Sequence, residues 1–221
     1  MTFCAIDRIV EEHHISVQRS ARYHSLGNAR NAKNIWIVLH GYGQLARYFL
    51  RNFEGLHDNN LIVAPEALSR FYLDDAHSRV GATWMTREDR ENEILDQITH
   101  LDTLTAHVAG HCAPNVPISA LGFSQGVATL CRWSVLGKTR IERLVLWGGS
   151  MPTDLAAPDL KMKWANTKVD LVHGDQDPLV NELSLARNEA QLRDAQVPCS
   201  IHKFGGGHAL DNLLLRRIIT A

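Results

Sequence analysis

The stretch from Val116 to Gly126 reads VPISALGFSQG, an apolar run of strand type that leads into a glycine-x-serine-x-glycine motif. An apolar-periodic segment typical of a helix follows. A serine in this strand-to-helix context sits on a sharp, strained turn that exposes its hydroxyl. Gly122 and Gly126 allow the strand and the helix to approach each other closely. The motif alone is a weak signal, but in this context it predicts that Ser124 is a nucleophile, provided that chemical partners follow downstream.

Two downstream loops supply those partners. The first, HGDQDP at 173–178, comes directly after a buried strand and carries Asp175 and Asp177. The second, FGGGH at 204–208, also follows a strand and ends in His208. An imidazole can take the proton of a serine hydroxyl and return it to the leaving group, and a carboxylate fixes the imidazole tautomer. This chemistry requires no metal and no cofactor, and we expect neither.

A third loop predicts a site for a developing negative charge. The segment IWIVLHGYG at 35–43 reads as a buried strand followed by a His-Gly loop. Acyl transfer places negative charge on the carbonyl oxygen, and each preorganised backbone N–H directed at it is worth roughly 2.7–4 kcal/mol of the barrier. The candidate donors of this oxyanion hole are the backbone amides of Tyr42 and of Gln125, the residue after the serine.

These motifs resemble those of the phospholipase/carboxylesterase family of α/β-hydrolases, which includes bacterial carboxylesterases and acyl-protein thioesterases. The segments that carry the resemblance are LHGYG at 39–43, GFSQG at 122–126, HGDQDPLV at 173–180 and Gly207-His208. The order serine, acid, histidine along the chain is also that of α/β-hydrolases. The resemblance implies a catalytic triad of Ser124, Asp177 and His208, with the Tyr42 and Gln125 amides as the oxyanion hole.

The sequence departs from the family pattern at several positions. Tyr42 stands where leucine is usual, Val127 where a small residue is common, and Trp84-Met85 where a Trp-Phe pair is usual. By this resemblance Tyr42, Trp84 and Met85 line or border the acyl pocket. Together with Leu179 they indicate an apolar acyl site. Trp84 and Met85 could equally be core residues.

Composition fits a single α/β domain over residues 1–221. The chain has 221 residues, of which 45% are hydrophobic, so it can bury a sizeable core. A formal net charge of −1 predicts no broad basic surface for nucleic acid or anionic membrane. Residues 1–14 contain four charged residues and no long apolar run. We therefore expect neither a signal peptide nor a transmembrane helix, and no stable membrane insertion.

The cysteines give an expectation about the compartment. Their positions, which show no paired spacing, are Cys4, Cys112, Cys131 and Cys199. This usage favours free thiols and a reducing, cytoplasmic setting.

The order of elements predicts an α/β-hydrolase fold. An antiparallel hairpin is expected at one edge, from Ile15 to Tyr23, followed by short apolar strands at about 35–39, 61–64, 116–121, 143–147, 168–172 and 198–203. Helical patterns lie between them, at about 88–108, after Ser124, and at about 181–194 and 208–219. This alternation predicts a mostly parallel sheet with helices on both faces. The irregular stretch 65–87 is interpreted as a pocket wall.

Several candidates have competing interpretations. Asp175 lies on the same loop as Asp177 and could be the acid, although the family position favours Asp177. We expect His40 and His173 to brace their own loops. Ser150 ends another strand but lacks the glycine-x-serine-x-glycine turn, so a structural role is favoured. His13-His14 and His111-Cys112 have no further ligands nearby in the sequence and are interpreted as surface residues.

The predicted function is that of a serine hydrolase of carboxylesterase or thioesterase type. It would cleave small to medium acyl esters or thioesters through an acyl-enzyme intermediate. Alternatives on the same fold are a phospholipid acyl hydrolase, a peptidase, or a catalytically silent binding protein. The expected partner is a small-molecule substrate rather than nucleic acid, and association as a homodimer stays open.

Overall fold

The structure, a computed structural model, describes residues 10–220. Residues 1–9 and residue 221 lie outside the described residues. Cys4 and most of residues 1–14, for which we expected no signal peptide, fall in this undescribed part. Nine strands are numbered along this part of the chain: β1 Tyr23–Leu26, β2 Asn34–Leu39, β3 Asn60–Pro65, β4 Ser69–Tyr72, β5 Val80–Thr83, β6 Ile118–Phe123, β7 Arg143–Trp147, β8 Lys168–Gly174 and β9 Cys199–Phe204.

The helices connect these strands. They are α1 Ala46–Phe49, α2 Arg90–Ala109, α3 Gln125–Leu136, α4 Ala157–Lys163, α5 Glu182–Asp194 and α6 Asn212–Ile219, with 3₁₀ turns at Ala29–Asn31 and Leu50–Phe53. Within residues 10–220, no helix has the length and apolar character needed to cross a membrane.

Seven strands form one sheet in the order β1, β3, β2, β6, β7, β8, β9. All neighbouring pairs are parallel except β1 and β3, which are antiparallel. Strands β4 and β5 form a separate antiparallel pair. The predicted α/β fold, a mostly parallel sheet with an antiparallel element at its edge, is confirmed.

Alternating side chains of the central strands belong to two separate hydrophobic cores, one on each face of the sheet. In β2, Ile35 and Ile37 belong to the core under α2, α3, α4 and α5. Trp36 and Val38, one residue out of phase, belong to the core under α1 and α6. Because successive side chains of a strand point to opposite faces, a continuous apolar run is what a sheet covered on both faces requires.

The antiparallel edge differs in position from the predicted hairpin. Residues 10–22 form no strand, and the side chains of Ile15 and Val17 are 87% and 74% exposed. Strand β1 begins only at Tyr23, because its register runs from Tyr23 opposite Pro65 to Leu26 opposite Ile62, where β3 offers a free edge. An alternating apolar pattern forms a strand only where such an edge is present.

The stretch 65–87 is more regular than its sequence indicated, since it contains β4 and β5. Gly81 of β5 lies so close to the loop after β2 that an added Cβ would stand 2.6 Å from the Gly43 carbonyl oxygen. The Gly43 N–H donates to Ala82 O at 2.9 Å and the Ala82 N–H donates to Gln44 O at 3.2 Å. The pair β4–β5 therefore holds the His-Gly loop in place.

Candidate active site

Ser124 occupies the turn between β6 and α3 in strained backbone geometry, with φ 55° and ψ −117°. Three glycines make this turn possible. A Cβ on Gly122 would lie 2.4 Å from Gly126 O, one on Gly126 would lie 2.5 Å from Leu39 O, and one on Gly149 would lie 2.4 Å from Ser124 O. Backbone from β2, β6 and the loop after β7 thus meets around the serine at distances that no other residue type allows.

Ser124, His208 and Asp177 form a continuous chain of hydrogen bonds. His208 Nε2 lies 2.9 Å from Ser124 Oγ, and His208 Nδ1 lies 2.7 Å from Asp177 Oδ2. Asp177 follows β8, and His208 follows β9. Since β6, β8 and β9 run parallel, their carboxyl ends meet at one edge of the sheet and bring together residues far apart in sequence.

The Asp177 carboxyl is buried and fully partnered. Its Oδ1 accepts hydrogen bonds from the N–H groups of Leu179, at 2.8 Å, and Val180, at 3.1 Å. Burial by itself would raise the pKa of Asp177, but the hydrogen bonds from His208, Leu179 and Val180 outweigh it and lower the pKa. The carboxylate is therefore ionised near neutral pH and accepts the N–H of His208 Nδ1.

Asp175 lies elsewhere on the same loop. Its Oδ1 accepts a hydrogen bond from the Gly206 N–H at 3.0 Å, which ties the loop after β8 to the loop after β9. Of these two aspartates, the structure brings Asp177 to His208 and gives Asp175 a bracing contact.

Further contacts hold the imidazole of His208. The ring of Phe123 lies against it, with the centroids 4.9 Å apart. Gly148, at φ +57°, lies beside the ring, since an added Cβ would be in ordinary van der Waals contact with His208 Cε1, at 3.6 Å. Trp147 Nε1 donates to the carbonyl oxygen of Ala209 at 2.9 Å. Sequence reasoning did not assign roles to these residues, although Trp147 and Gly148 end a predicted strand at the edge that carries the site.

The oxyanion-hole candidates lie on the loop and helix that flank Ser124. An added Cβ on Gly41 would be 3.2 Å from Ser124 Cβ, so the loop of Tyr42 borders the serine directly. Gln125 is the first residue of α3, where backbone N–H groups lack helical partners. Among residues 10–220, neither the Tyr42 nor the Gln125 N–H donates to another protein group. Both amides remain available to a ligand.

His40 braces its loop as the sequence suggested. Its Nε2 accepts a hydrogen bond from the Ala67 N–H at 3.1 Å, and its Nδ1 lies 2.8 Å from Gly41 O. Burial lowers the pKa of His40, so the ring is neutral, as an Nε2 acceptor must be. His173 differs from expectation, because it lies within β8 and its Nδ1 has no hydrogen-bond partner in the described part of the chain.

The side chain of Gln125 connects the serine turn to β5. Its Oε1 accepts from the Trp84 N–H at 3.1 Å, while its Nε2 donates to Thr83 Oγ1 at 2.9 Å and to Met85 O at 3.0 Å. The sequence motifs indicate a role only for the backbone amide of Gln125. No motif signals a side-chain contact between residues about 40 positions apart.

The suggested pocket residues divide into two groups. Trp84 is only 2% exposed and donates from Nε1 to His40 O at 2.8 Å, while the Met85 sulfur lies 3.3 Å from an Arg132 nitrogen. Trp84 belongs to the core under α2 to α5, and the half-buried Met85 packs against that core. Tyr42 and Leu179, in contrast, are 60% and 70% exposed, on loops adjoining Ser124 and Asp177. They remain available to a substrate.

Other sequence candidates lie away from the triad. Ser150 is exposed on the loop after β7. Next to it, the Asn188 side chain donates to Gly149 O and accepts from the Met151 N–H, both at 2.9 Å, which fixes that loop. At the surface, His14 Nε2 lies 3.1 Å from a Glu12 carboxylate oxygen and 3.3 Å from an Asp89 carboxylate oxygen.

Comparison with known proteins identifies the family. The chain matches the phospholipase/carboxylesterase family model over residues 26–221. No curated protein sequence gives a significant match. Among solved structures it is similar to acyl-protein thioesterase 2 of Zea mays, with 16% identity, a TM-score of 0.71, and 91% of this chain and 97% of that one covered.

Two bacterial structures show the same likeness. The Bacillus cereus carboxylesterase has 16% identity and a TM-score of 0.67, with 90% of this chain and 92% of that chain covered. A phospholipase/carboxylesterase from Dyadobacter fermentans has 20% identity and a TM-score of 0.65, with coverage of 93% and 99%. At these identities the structures establish a shared fold. Since the family model spans most of the sequence, including every segment of the site, the chain belongs to the phospholipase/carboxylesterase family.

Proposed function

We propose that the protein is a serine hydrolase that cleaves carboxylic ester or thioester bonds of small to medium acyl substrates through an acyl-enzyme intermediate. The observation that best supports this is the chain of hydrogen bonds from Ser124 Oγ through His208 to Asp177, at 2.9 and 2.7 Å. A serine hydroxyl becomes a nucleophile when a base takes its proton and a third group orients that base.

In the proposed reaction, Ser124 Oγ attacks the acyl carbonyl while His208 Nε2 takes its proton. The negative charge on the carbonyl oxygen is stabilised by the Tyr42 and Gln125 N–H groups. The tetrahedral intermediate then collapses, and His208 returns the proton to the departing alcohol or thiol. Water, activated by His208, attacks the acyl-enzyme and releases the acid and free Ser124.

An apolar acyl group fits the rim of the site. The ring of Tyr42 lies against that of Phe71 at a tilt, with the centroids 5.1 Å apart, and Leu179 lies beyond Asp177 on the opposite loop. Exposed apolar side chains beside a reactive group favour an apolar ligand over a strongly charged one. We propose that these side chains, rather than the buried Trp84, contact the acyl chain.

We also infer a reducing compartment for the protein. The described cysteines Cys112, Cys131 and Cys199 are free thiols. Burial raises the pKa of each thiol, which keeps them protonated and unreactive. This supports the cytoplasmic setting expected from the sequence.

Hydrolysis of a series of p-nitrophenyl esters from acetate to palmitate tests the proposal. We expect turnover in the wild type and a kcat lower by at least about 10⁴ in Ser124→Ala, because triad members act as a unit. Circular dichroism checks that the variant is folded. A fluorophosphonate probe should label Ser124 alone.

Three results would contradict the assignment. Activity retained in Ser124→Ala would remove Ser124 as nucleophile, and labelling of Ser150 would place the nucleophile on the other loop. Absence of turnover with every ester would instead favour a phospholipid acyl ester, a peptide bond, or a binding role without catalysis.

A further inference from the structure

Asn188 interrupts the apolar face of α5. The buried residues of this helix are Leu185, Asn188 and Leu192, which form one stripe towards the core. Asn188 is only 4% exposed. Burial of an amide is unfavourable unless the amide makes hydrogen bonds, and asparagine is a poorer helix former than leucine. A residue that breaks the pattern of its element in this way is typical of a functional site.

The amide of Asn188 bonds the loop after β7 on both sides of Ser150. Its Nδ2 donates to Gly149 O at 2.9 Å, and its Oδ1 accepts from the Met151 N–H at 2.9 Å. An amide combines a donor and an acceptor in one planar group. One side chain thereby fixes both peptide groups that flank Ser150.

The fixed part of the loop lies between the nucleophile and the acid–base pair. A Cβ on Gly149 would lie 2.4 Å from Ser124 O, so this glycine contacts the serine turn directly. A Cβ on Gly148 would be in van der Waals contact with Asp177 Oδ2, at 3.5 Å, and with His208 Nδ1, at 3.6 Å. A displacement of this loop therefore changes the position of Ser124 relative to His208.

The loop depends on Asn188 for these two hydrogen bonds. Within residues 10–220, neither Gly149 O nor the Met151 N–H has a hydrogen-bond partner other than Asn188. Both residues are buried, and buried backbone groups without a partner are unfavourable. Without the amide, the loop would have to move until water reaches these groups.

We propose that Asn188 is a positioning residue for the reaction at Ser124. It acts through Gly148 and Gly149, which it holds against the serine turn and the His208 imidazole, rather than by contact with the reacting atoms. The proposal rests on the serine hydrolase function proposed above. A misplacement of about 1 Å in an active site can lower the rate by about 10²-fold, so a small shift of this loop is enough to affect turnover.

The rate at which a fluorophosphonate probe labels Ser124 tests the proposal without an assumption about the natural substrate. In this step Ser124 Oγ forms a bond to phosphorus, fluoride leaves and His208 takes the serine proton, so the rate reports on the placement of both residues. Asn188→Leu removes the amide and keeps a branched side chain of similar size. We expect its second-order rate constant for labelling to be about ten- to a hundredfold lower than in the wild type, with one label per chain at completion in both proteins.

Steady-state kinetics with a p-nitrophenyl ester gives an independent readout. We expect kcat of Asn188→Leu to fall by a similar factor while KM changes little, because the placement of Ser124 and His208 acts on the transition state more than on substrate binding. A purely structural loss would lower the number of folded sites, which the final label count measures. It would leave the kcat of each labelled site unchanged.

Gln191→Leu is the matched control. Gln191 lies one turn further along α5, and its side chain donates to Pro152 O at 2.9 Å. This variant removes an amide contact to the same loop, beyond the residues that contact the triad, so we expect its labelling rate to stay close to the wild-type value. If circular dichroism shows that Asn188→Leu is unfolded, Asn188→Ala replaces it in the same comparison, since alanine removes the amide without adding apolar volume.

Two results would overturn this proposal and leave the proposed function intact. One is a wild-type rate of labelling in the folded Asn188 variant, and the other is an equal reduction of the rate in Gln191→Leu. A wild-type protein that is not labelled at Ser124 would instead remove the proposed function, and the role of Asn188 with it.

Discussion

Asp177 and Asp175 stand two positions apart, yet their surroundings give them different roles. The Asp177 carboxylate accepts a hydrogen bond from His208 Nδ1 at 2.7 Å, whereas the Asp175 carboxylate accepts one from the backbone N–H of Gly206. Asp177→Asn keeps the shape but presents an amide that can hold the wrong imidazole tautomer, so we expect kcat to fall by about 10⁴. Asp175→Asn should change kcat only slightly. Steady-state kinetics with a p-nitrophenyl ester compares the two, and the reverse ranking would assign the acid to Asp175.

The Gln125 side chain is a positioning group, and its removal leaves the backbone amide in place. Gln125→Ala breaks the hydrogen bonds to Trp84, Thr83 and Met85 that anchor the first turn of α3. We expect kcat to fall about tenfold, equivalent to about 1.4 kcal/mol, with a smaller change in KM, because a displaced amide weakens transition-state stabilisation more than substrate binding.

The control for Gln125→Ala is Gln191→Ala. This variant removes the hydrogen bond of 2.9 Å that the side chain of Gln191, on α5, donates to the Pro152 carbonyl oxygen. Equal losses of kcat in the two variants would show a general effect of destabilisation rather than positioning.

At the scale of elements, the junction of β2, β6 and α3 depends on the absence of a side chain at position 126. Gly126→Ala would place a Cβ 2.5 Å from Leu39 O and 2.9 Å from His40 O, both backbone atoms. Alanine improves helix propensity by up to about 1 kcal/mol. Overpacking costs about 1–3 kcal/mol, so we expect a net loss of stability together with a loss of activity.

Urea denaturation of Gly126→Ala measures this loss, with Gly205→Ala as its control. Nothing lies within 4 Å of a Cβ added at Gly205. That variant should unfold at the wild-type urea concentration or slightly above it. A Gly126→Ala protein as stable as the wild type would contradict the close approach of β2 to α3.

Helix α2 carries a pH-dependent contribution to stability. The pKa of His100 is lowered from 6.5 to about 4 by burial and by Arg19, so below pH 6.5 the unfolded chain binds a proton that the folded chain does not. The contribution of His100 to the free energy of unfolding is therefore fully present above pH 6.5 and is lost as the pH decreases towards 4. Between pH 7.5 and 5 this amounts to about 2 kcal/mol.

The variant His100→Gln should reduce that pH dependence. Urea unfolding at pH 7.5 and pH 5 measures it in both proteins. We expect the free energy of unfolding to differ less between the two pH values in the variant than in the wild type. Buried His40 contributes part of that difference in both proteins. An unchanged difference would mean that His100 is equally protonated in the folded and unfolded states.

Sequence patterns predicted the positions of the strands with different accuracy. The strand at 143–147 and the core strands around it agree with their predicted positions to within about two residues, because a long apolar run between turn residues leaves few alternatives. The hairpin at 15–23 was misplaced, since an edge strand depends on a partner that local sequence does not reveal. Likewise, the burial of Trp84 follows from its contact with His40, which is a tertiary contact.

For the molecule as a whole, the sequence predicted the family and the sheet, and the structure brings Ser124, His208 and Asp177 into hydrogen-bond contact. The Gln125 side-chain contacts were not predicted, because they depend on how distant segments pack. The single domain over 1–221 and the homodimer stay predictions. Light scattering after gel filtration would give the mass of the particle, to be compared with 24.7 kDa for one chain.

The three glycine contacts around Ser124 have a consequence for redesign of this enzyme. They bring Ser124 close to backbone of β2, β6 and the loop after β7, and they involve none of the side chains at the rim of the site. A mutant library randomised at Tyr42, Phe71 and Leu179 should therefore keep a serine that reacts with fluorophosphonate in most of its members, even where the preferred substrate changes completely. Selectivity and reactivity are separable traits in this scaffold.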